Sequence, residues 1–398
     1  MASVAAPRFP HGERRHSASA LVRRFPIEGG LLLLHGGSNC LFAYNDTARH
    51  VWDLIEAGRT AEDLTPEFAQ AWGIPLSRAH ADVTSITAQW RIQGLLAGSE
   101  DRATTAAPAA DAAPDGYRSA PTRWTSQWTC TIRRTTIAFA VEDEPPAPVR
   151  LLLRHLETPG VPPQAHIEIR SPPSGEAVLV SNGLERVRTS DPAQFVGGLW
   201  QTILECIHPE VRWRAFIQGA ALVRNGSSLA LSGPSGSGKS TLAAGLLARG
   251  FAYLADDIVA LSEPDGVIMP WPLPLSIKPG SVDILQSQYP ELARAFRYPT
   301  KGVEARLLVP SAEVWDAEPI RLRTLVFPRF TAGAAPELRR LSSFEALERL
   351  LSDRVWLGHP ITEERVRSFL ALLDETPAYA VSYGTLSDAV QLVERVIP

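Results

Sequence analysis

The sequence predicts a small winged helix-turn-helix domain followed by a larger α/β domain, in a chain of 398 residues. Three observations predict this order. Residues 20–98 contain three short apolar runs and then three helical patterns. Residues 233–241 form a glycine-rich loop between an apolar run and a helical pattern. The next apolar run contains the aspartate pair Asp256-Asp257. A strand, a loop, a helix and a second strand in this order are typical of the α/β class.

Composition separates the domains and marks the ends of each. Residues 1–19 mix proline, arginine and histidine without an apolar core, which predicts a disordered tail and argues against a signal peptide. Residues 99–122 are rich in alanine and proline, as is typical of a semi-flexible linker. The predicted organisation is a tail over 1–19, the small domain over 20–98, the linker over 99–122 and the α/β domain over 123–398, with a β-rich part to about residue 210, a core over 212–284 and C-terminal strands and helices.

The small domain shows strand patterns first and helix patterns second. The three apolar runs are separated by glycine-rich turns and are Leu21–Phe25, Leu31–Leu34 and Leu41–Tyr44. Asn45 is expected to cap the first helix, because its side chain can accept a hydrogen bond from the first helical turn. The third helix is expected over Ala79–Gln93. The aromatic side chains of Trp52, Trp72 and Trp90 are expected in the core of this domain.

The glycine-rich loop matches the pattern G-x-x-x-x-G-K-[ST], which binds the phosphates of a nucleoside triphosphate. The matching residues are Gly233, Pro234, Ser235, Gly236, Ser237, Gly238, Lys239, Ser240 and Thr241. Lys239 is expected to contact the β- and γ-phosphates and Ser240 to bind Mg²⁺. The alternative is a chance turn rich in glycine and serine, which the flanking strand and helix patterns disfavour. The loop therefore predicts ATP and Mg²⁺ as ligands and makes 212–284 a nucleotide core, although the sequence does not distinguish ATP from GTP.

The aspartate pair lies inside an apolar run, where a carboxylate is costly unless it is paired or bound to a metal. One carboxylate of such a pair can hold Mg²⁺, and the other can take the proton of an attacking hydroxyl group. The alternative is one metal-binding carboxylate beside one carboxylate that caps a helix or a loop.

The segment Arg212–Ile284 resembles HPr kinase/phosphorylase and its relatives. The resemblance rests on the loop and on two strings that follow it at the spacing of the family, Ala248-Arg249-Gly250 and Leu254-Ala255-Asp256-Asp257. It implies a serine kinase with a fold shared with phosphoenolpyruvate carboxykinase. It also implies that Lys239 binds phosphates, that Ser240 binds Mg²⁺ and that Asp257 is the catalytic base. Because some relatives form hexamers, the resemblance allows a homo-oligomer.

Two positions depart from that family. Gln218-Gly219 stands where the family has a histidine followed by glycine or alanine, and glutamine cannot act as an acid or base near neutral pH. This departure puts a reverse phosphorylase reaction in doubt. The nearest counterpart of a Glu-x-Arg-Gly segment is Ser276–Gly280, which lacks the acid. We therefore expect Asp256 to serve as the metal carboxylate and Lys278 to contact phosphate, the alternative for Lys278 being an ordinary surface lysine.

The small domain resembles the PqqD family of peptide-binding modules. The resemblance rests on Tyr44-Asn45 leading into Ala48-x-x-Val51-Trp52-x-Leu54-Ile55. It implies that the leader of a ribosomally made precursor peptide adds as a strand to the edge Leu41–Tyr44 and contacts the helix over Val83–Gln93. The rival function of a winged helix is DNA binding. That function is disfavoured because the third helix offers only Arg78 and Arg91 as strong positive charges, with Asp82 between them.

Charge and cysteine content narrow the classes of partner and compartment. The net charge of −4 provides no basic field for nucleic acid, and the three cysteines are scattered, which indicates a reducing compartment. The leucine run Leu31–Leu34 is too short to span a membrane. We therefore expect a cytoplasmic protein with neither nucleic acid nor membrane as partner.

Together the two domains predict a kinase that phosphorylates a serine of a ribosomally synthesised precursor peptide, with lasso-peptide pathways as a setting by family resemblance. Two alternatives stay open. One is a kinase of a small metabolite or carrier protein, whose turnover would not depend on residues 1–98. The other is a nucleotide-gated scaffold, which would bind ATP and produce no phosphopeptide.

Overall fold

The computed structural model describes residues 16–97, 124–142, 149–171, 175–300, 302–309, 311, 318–352, 355–358 and 360–397. These residues divide into two compact units. The described part of the first unit comprises residues 16–97, 342–351 and 360–371, and the second unit holds the others. In the described ranges, no helix combines the length and apolar character needed to cross a bilayer.

The first unit begins with three antiparallel strands in the order β1-β2-β3, followed by three helices. The strands are β1 Val22–Ile27, β2 Gly30–His35 and β3 Cys40–Asn45, and the helices are α1 Asp46–Glu56, α2 Ala61–Trp72 and α3 Leu76–Ile92. The predicted cap is confirmed, because the Asn45 side chain accepts a hydrogen bond from Ala48 N at 3.0 Å. The helices pack their apolar faces on one face of the sheet, with Trp52 and Trp90 in the core. Trp72 was expected there too but is exposed, because it ends α2 beside Gly73.

The second unit contains a five-stranded and a ten-stranded sheet, both larger than the three-stranded sheet of the first unit. The remaining strands are β4 Ser126–Ile132, β5 Thr135–Val141, β6 Ala165–Arg170, β7 Ala177–Ser181, β8 Leu184–Thr189, β9 Trp213–Arg224, β10 Ser227–Ser232, β11 Ala252–Ala255, β12 Ile258–Ser262, β13 Val267–Met269, β14 Leu275–Ile277, β15 Arg297–Thr300, β16 Val303–Leu308, β17 Ile320–Arg321, β18 Thr324–Phe330, β19 Glu337–Leu341, β20 Val355–Trp356 and β21 Ala378–Tyr383. The remaining helices are α4 Val149–Leu153, α5 Pro192–Ile207, α6 Lys239–Leu247, α7 Pro279–Leu285, α8 Ser343–Ser352, α9 Glu363–Glu375 and α10 Leu386–Glu394. Strands β4 to β8 form one sheet in chain order, as the β-rich pattern of this region predicts.

The larger sheet carries the glycine-rich loop near its centre. Its strand order is β17-β13-β12-β9-β10-β18-β21-β19, and β10, β18 and β21 run parallel to one another. Strands β11 and β12 both pair with β9, and only Asp256 and Asp257 separate them in the chain. Helix α6 follows the loop and packs its buried leucine and alanine side chains into the core that holds β10 and β21. This topology brings the loop and the aspartate pair to neighbouring strand ends.

Helices α8 and α9 contribute to the first unit, although the sequence pattern assigns their residues to the α/β domain over 123–398. Every residue of β2 from Gly30 to Leu34 is buried, so both faces of this strand are covered. Leu31 and Leu33 face α1 to α3, whereas Leu32 and Leu34 lie outside that core. The Phe344 ring packs so closely on Gly30 that a Cβ atom there would overlap it.

Polar contacts join the same segments to the first unit. Arg23 pairs with Glu363 at 3.0 Å, and the Arg367 guanidinium lies 5.2 Å from the centre of the Phe25 ring. The backbone N–H of Ile361 donates to the Asn39 side chain at 2.7 Å. The apolar periodicity of a helix shows that one face is buried but does not show which partner covers it. For this reason the sequence did not identify these contacts.

Candidate functional site

The glycine-rich loop joins β10 to α6, as the sequence predicts. Gly233, Gly236 and Gly238 have φ angles of 152°, 92° and 100°, which L-residues with a side chain rarely adopt. A Cβ atom at Gly238 would also overlap the hydroxyl group of Tyr383. Helix α6 therefore begins at a left-handed glycine whose hydrogen leaves room for the tyrosine.

Two polar groups of the loop are suited to an anion. The Lys239 ammonium group lies back over the loop and donates to the carbonyl oxygens of Gly233 and Pro234, the latter at 3.1 Å. The Ser237 hydroxyl group is buried, with the residue 8% exposed, and has no hydrogen-bond partner among the described residues. A phosphate oxygen would satisfy both groups, so the residues present fit a phosphate at the N-terminus of α6.

Ser240 and Asp256 lie together, as the predicted metal site requires. The Ser240 hydroxyl group donates to the Asp256 carboxylate oxygens at 3.4 and 3.2 Å. The backbone N–H of Ser276 donates to the same carboxylate at 3.3 Å. Hydroxyl and carboxylate oxygens are ligands that Mg²⁺ accepts when phosphates and water supply the others. In the described ranges, no three acidic, histidine or cysteine side chains meet in a metal-sized cluster. The protein alone therefore offers a partial site.

Asp257 differs from Asp256 in exposure and backbone conformation. Asp256 is 3% exposed, whereas Asp257 faces solvent at the break between β11 and β12. The φ angle of Asp257 is 68°, a left-handed conformation that aspartate and asparagine tolerate better than most residues. Its carbonyl oxygen accepts a hydrogen bond from Gly219 N at 3.1 Å. The pair thus presents one buried and one exposed carboxylate, an arrangement in which the two groups can take different roles.

Lys278 and Gln218 also lie near the loop and the aspartates. The Lys278 ammonium group donates to the Ser235 hydroxyl group of the loop at 2.9 Å. Gln218 pairs with Ile258, the residue after Asp257, and its carbonyl oxygen accepts from the Ser232 hydroxyl group at 3.0 Å. The structure therefore brings Lys278 to the loop, and its contact with phosphate stays a prediction.

Tyr383 and Phe330 are neighbours of the loop to which the sequence patterns assigned no role. The backbone N–H of Phe330 donates to Ser237 O at 3.2 Å, and the Tyr383 hydroxyl group lies 3.5 Å from the same oxygen. Burial raises the pKa of Tyr383 to about 12, so its hydroxyl group stays protonated near neutral pH. A parallel arrangement of β10, β18 and β21 brings their carboxyl ends together. The sequence patterns of these strands do not indicate which side chains meet there.

The stability of the protein without metal is expected to depend on Asp256. Burial raises the pKa of the Asp256 carboxyl group to about 7, and the Asp257 charge adds to this effect. Between about pH 4 and pH 7, the folded protein therefore holds a proton on Asp256 that the unfolded chain has lost. This contribution to the free energy of unfolding is present at low pH and is lost as pH rises through about 7.

Urea unfolding with a chelator at about pH 5, 6, 7 and 8 measures this dependence. The difference in unfolding free energy between the natural chain and Asp256→Asn should fall across that range, because the variant has no carboxyl group at this position. A difference that is constant or rises with pH would show that Asp256 is ionised in the folded protein.

A second candidate site is the free-standing edge of the small sheet in the first unit. Among the described strands, β3 pairs only with β2. The Tyr44 ring packs edge-on against Trp90 at 5.5 Å, and its hydroxyl group donates to the Gln93 side chain. Val83, Ile86 and Trp90 follow one another at helical spacing, and Gln93 directly follows the helix; we call these four residues the α3 stripe. Trp90 and Gln93 contact Tyr44, so the end of the stripe lies against β3. Ile86 and Gln93 are its partly exposed members.

The opposite edge of the sheet is less suited to accept a strand. Pro26 lies in β1 and has no N–H group to donate. Arg24 on the same strand pairs with Asp53 at 2.7 Å and with Glu56 at 2.6 Å. Charged side chains and proline on an edge discourage pairing with a further strand. The β3 edge, with Leu41, Phe42 and Ala43, is therefore the better position for an added strand.

Comparison with known proteins assigns the small domain. Residues 30–96 match the family of coenzyme PQQ synthesis protein D (PqqD). This domain is PqqD-like. A solved structure described as TbiB1 in complex with the TbiA(beta) leader peptide is 20% identical and covers 21% of this chain and 95% of its own, with a TM-score of 0.20. No curated protein matches the chain.

Proposed function

We propose that the protein is an ATP-dependent kinase that phosphorylates a serine side chain of a ribosomally synthesised precursor peptide. The observation that carries this proposal is the exposed Asp257 carboxylate, adjacent in the chain to Asp256, whose carboxylate contacts Ser240 at the end of the loop. A phosphate loop, a partial metal site and an exposed base are the parts that phosphoryl transfer to a hydroxyl group requires.

Each residue has a role that follows from its contacts. When bound, MgATP supplies the phosphoryl group and the cation that neutralises its oxygens. Ser240 and Asp256 would hold Mg²⁺, and the fixed Ser276 N–H keeps the Asp256 carboxylate oriented. Lys239 would exchange its carbonyl partners for phosphate oxygens. Asp257, which faces solvent, would accept the proton of the serine hydroxyl group.

Gln218 stands where the relatives of HPr kinase/phosphorylase have a histidine, and this difference favours phosphoryl transfer from ATP to the peptide over the reverse reaction. Gln218 lies next to the aspartate pair but has no titratable group. A phosphorylase reaction that relies on an acid or base at this position would therefore lack it. We propose that the chain runs the kinase reaction alone.

The PqqD-like domain would capture the leader of the peptide substrate. An extended leader would add to the β3 edge through backbone hydrogen bonds, and its side chains would contact Ile86 and Gln93, the partly exposed members of the α3 stripe. Holding the leader raises the effective concentration of the acceptor serine at the kinase site. This arrangement explains why one chain would carry both domains.

The test uses the precursor peptide encoded nearest this gene. The full chain is incubated with that peptide, Mg²⁺ and ATP, and the peptide mass is measured. A gain of one phosphate group supports the peptide kinase. An unchanged mass with ATP still bound would instead favour a scaffold role, and phosphorylation of a metabolite or carrier protein would favour the other alternative.

Ile86→Asp is expected to raise the KM for the precursor peptide about tenfold and to leave kcat unchanged within about twofold. Ile86 is partly buried on the α3 stripe, so the new charge would lie where leader side chains bind. Steady-state phosphorylation over a range of peptide concentrations measures both constants.

Ala88→Asp provides the matched control, since it adds the same charge to an exposed position of the same helix. It should leave both constants unchanged. Equal constants for Ile86→Asp and the natural chain would remove the α3 stripe from the leader site.

A further inference from the structure

Phe330 is an exposed aromatic side chain beside the phosphate loop, and the mechanism above does not use it. It ends β18, 46% of its surface is exposed, and its N–H group is bonded to Ser237 O. Its Cβ atom lies 3.7 Å from the position that a Cβ at Gly238 would take. Its ring lies 5.8 Å from the Tyr383 ring, so the phenyl group is held at the loop with one part packed and one part open.

The strand order gives the direction in which a nucleotide would cross the loop. Strand β9 lies on one side of β10, and β18 lies on the other. Asp256 and Asp257 lie beyond β9, in the break between β11 and β12. The phosphate that is transferred must lie on this side, beside Ser240 and the aspartates.

The base is at the other end of the nucleotide and would therefore lie toward β18 and β21. The carboxyl ends of β10, β18 and β21 meet at one edge of the sheet because these strands are parallel. Ligands of α/β sheets bind at this edge. Phe330 is at the carboxyl end of β18 and is the exposed aromatic ring that contacts the loop there.

We propose that Phe330 is the platform on which the purine base of the bound nucleotide stacks, with Tyr383 supporting the ring from behind. This inference rests on the nucleotide site of the proposed function and adds the residue that holds the base. Stacking on an aromatic face suits any purine, because every base has a π-face. Inorganic polyphosphate has phosphate groups but no base, so its binding measures the phosphate contacts without the stacking contact.

Isothermal titration of the full chain with Mg²⁺ and either ATP or inorganic tripolyphosphate tests the proposal. Phe330→Leu keeps an apolar side chain against Tyr383 but removes the aromatic face. It should weaken ATP binding about tenfold and change tripolyphosphate binding by less than about twofold. Phe330→Trp keeps an aromatic face and should bind ATP as the natural chain does.

Phe296→Leu is the matched control, because Phe296 is 54% exposed in the same unit and ends no strand at the loop. It should change neither affinity. An equal loss for both ligands would make Phe330 a support of the loop, and no loss for ATP would move the base elsewhere. Either result overturns the inference. No peptide is present in this titration. A failure of peptide phosphorylation would therefore not change the binding results, and a base bound elsewhere would not exclude peptide phosphorylation.

Discussion

Asp257→Asn is expected to lower the rate of phosphoryl transfer to the precursor peptide by about 10²- to 10⁴-fold, the usual contribution of a general base. The change removes the proton acceptor and keeps the size of the side chain. Asparagine also tolerates the left-handed conformation of this residue, whose φ angle is 68°. The loss should therefore reflect chemistry rather than misfolding. Single-turnover measurement of phosphopeptide formation gives the rate.

Nucleotide affinity distinguishes the two aspartates in the same assay. Asp257→Asn should bind MgATP as the natural chain does, because Asp257 faces solvent and Asp256 is the carboxylate of the proposed metal site. Asp256→Asn should weaken the dependence of ATP binding on Mg²⁺, since this carboxylate contacts Ser240. Full turnover by Asp257→Asn would show that another group accepts the proton.

Phe344→Ala is expected to lower the free energy of unfolding of the first unit by about 3–5 kcal/mol. The Phe344 side chain is buried on Gly30, on the face of the small sheet opposite α1 to α3. Removing the ring leaves a cavity that cannot close easily, because β2 is packed on both faces. Such a loss is a large fraction of the stability of a typical domain.

Hydrogen exchange of the backbone amides of β2, followed at rising urea concentration, measures this loss, because it reports on the first unit alone. Ile92→Ala serves as the control, because Ile92 is 88% exposed on α3 and its removal should change stability by less than about 0.5 kcal/mol. If Phe344→Ala behaved like Ile92→Ala, α8 would be dispensable for the small domain.

The packing of α8 also changes how the role of the PqqD-like domain should be tested. Deleting residues 1–98 would remove the sheet that covers the apolar face of α8 and would expose Phe344. Lost turnover after such a deletion would then not distinguish leader capture from misfolding. The point variant Ile86→Asp leaves α8 and Phe344 covered, because its side chain lies on the opposite, helical side of the sheet.

Local patterns in the sequence predicted the elements whose form depends on near neighbours in the chain. Asn45 caps α1 because a short polar side chain precedes an apolar helical stripe. Gly233, Gly236 and Gly238 of the glycine-rich loop have the positive φ angles that the loop pattern requires. Asp256 and Asp257 lie beside the loop because the second strand follows α6 without a long connection.

Features that depend on distant contacts were not predictable in this way. Phe330 is one phenylalanine among thirteen, and only the parallel pairing of β18 with β10 brings it to the loop. The raised pKa of Asp256 comes from complete burial, which the strand pattern alone does not measure. The partner of α8 is about 310 residues away in the chain, and a helical stripe carries no information about such a partner.

Helix α8, which packs on the face of the small sheet opposite α1 to α3, is synthesised long after that sheet. About 245 residues lie between residue 97 and the start of α8 at Ser343, and at 5–20 residues per second they take roughly ten seconds to nearly a minute to translate. During that interval the nascent domain has its own helices but exposes Leu32 and Leu34 on the uncovered face. A chaperone that binds short leucine-rich strands would find its substrate at this stage, and the need for it would end when α8 and α9 emerge.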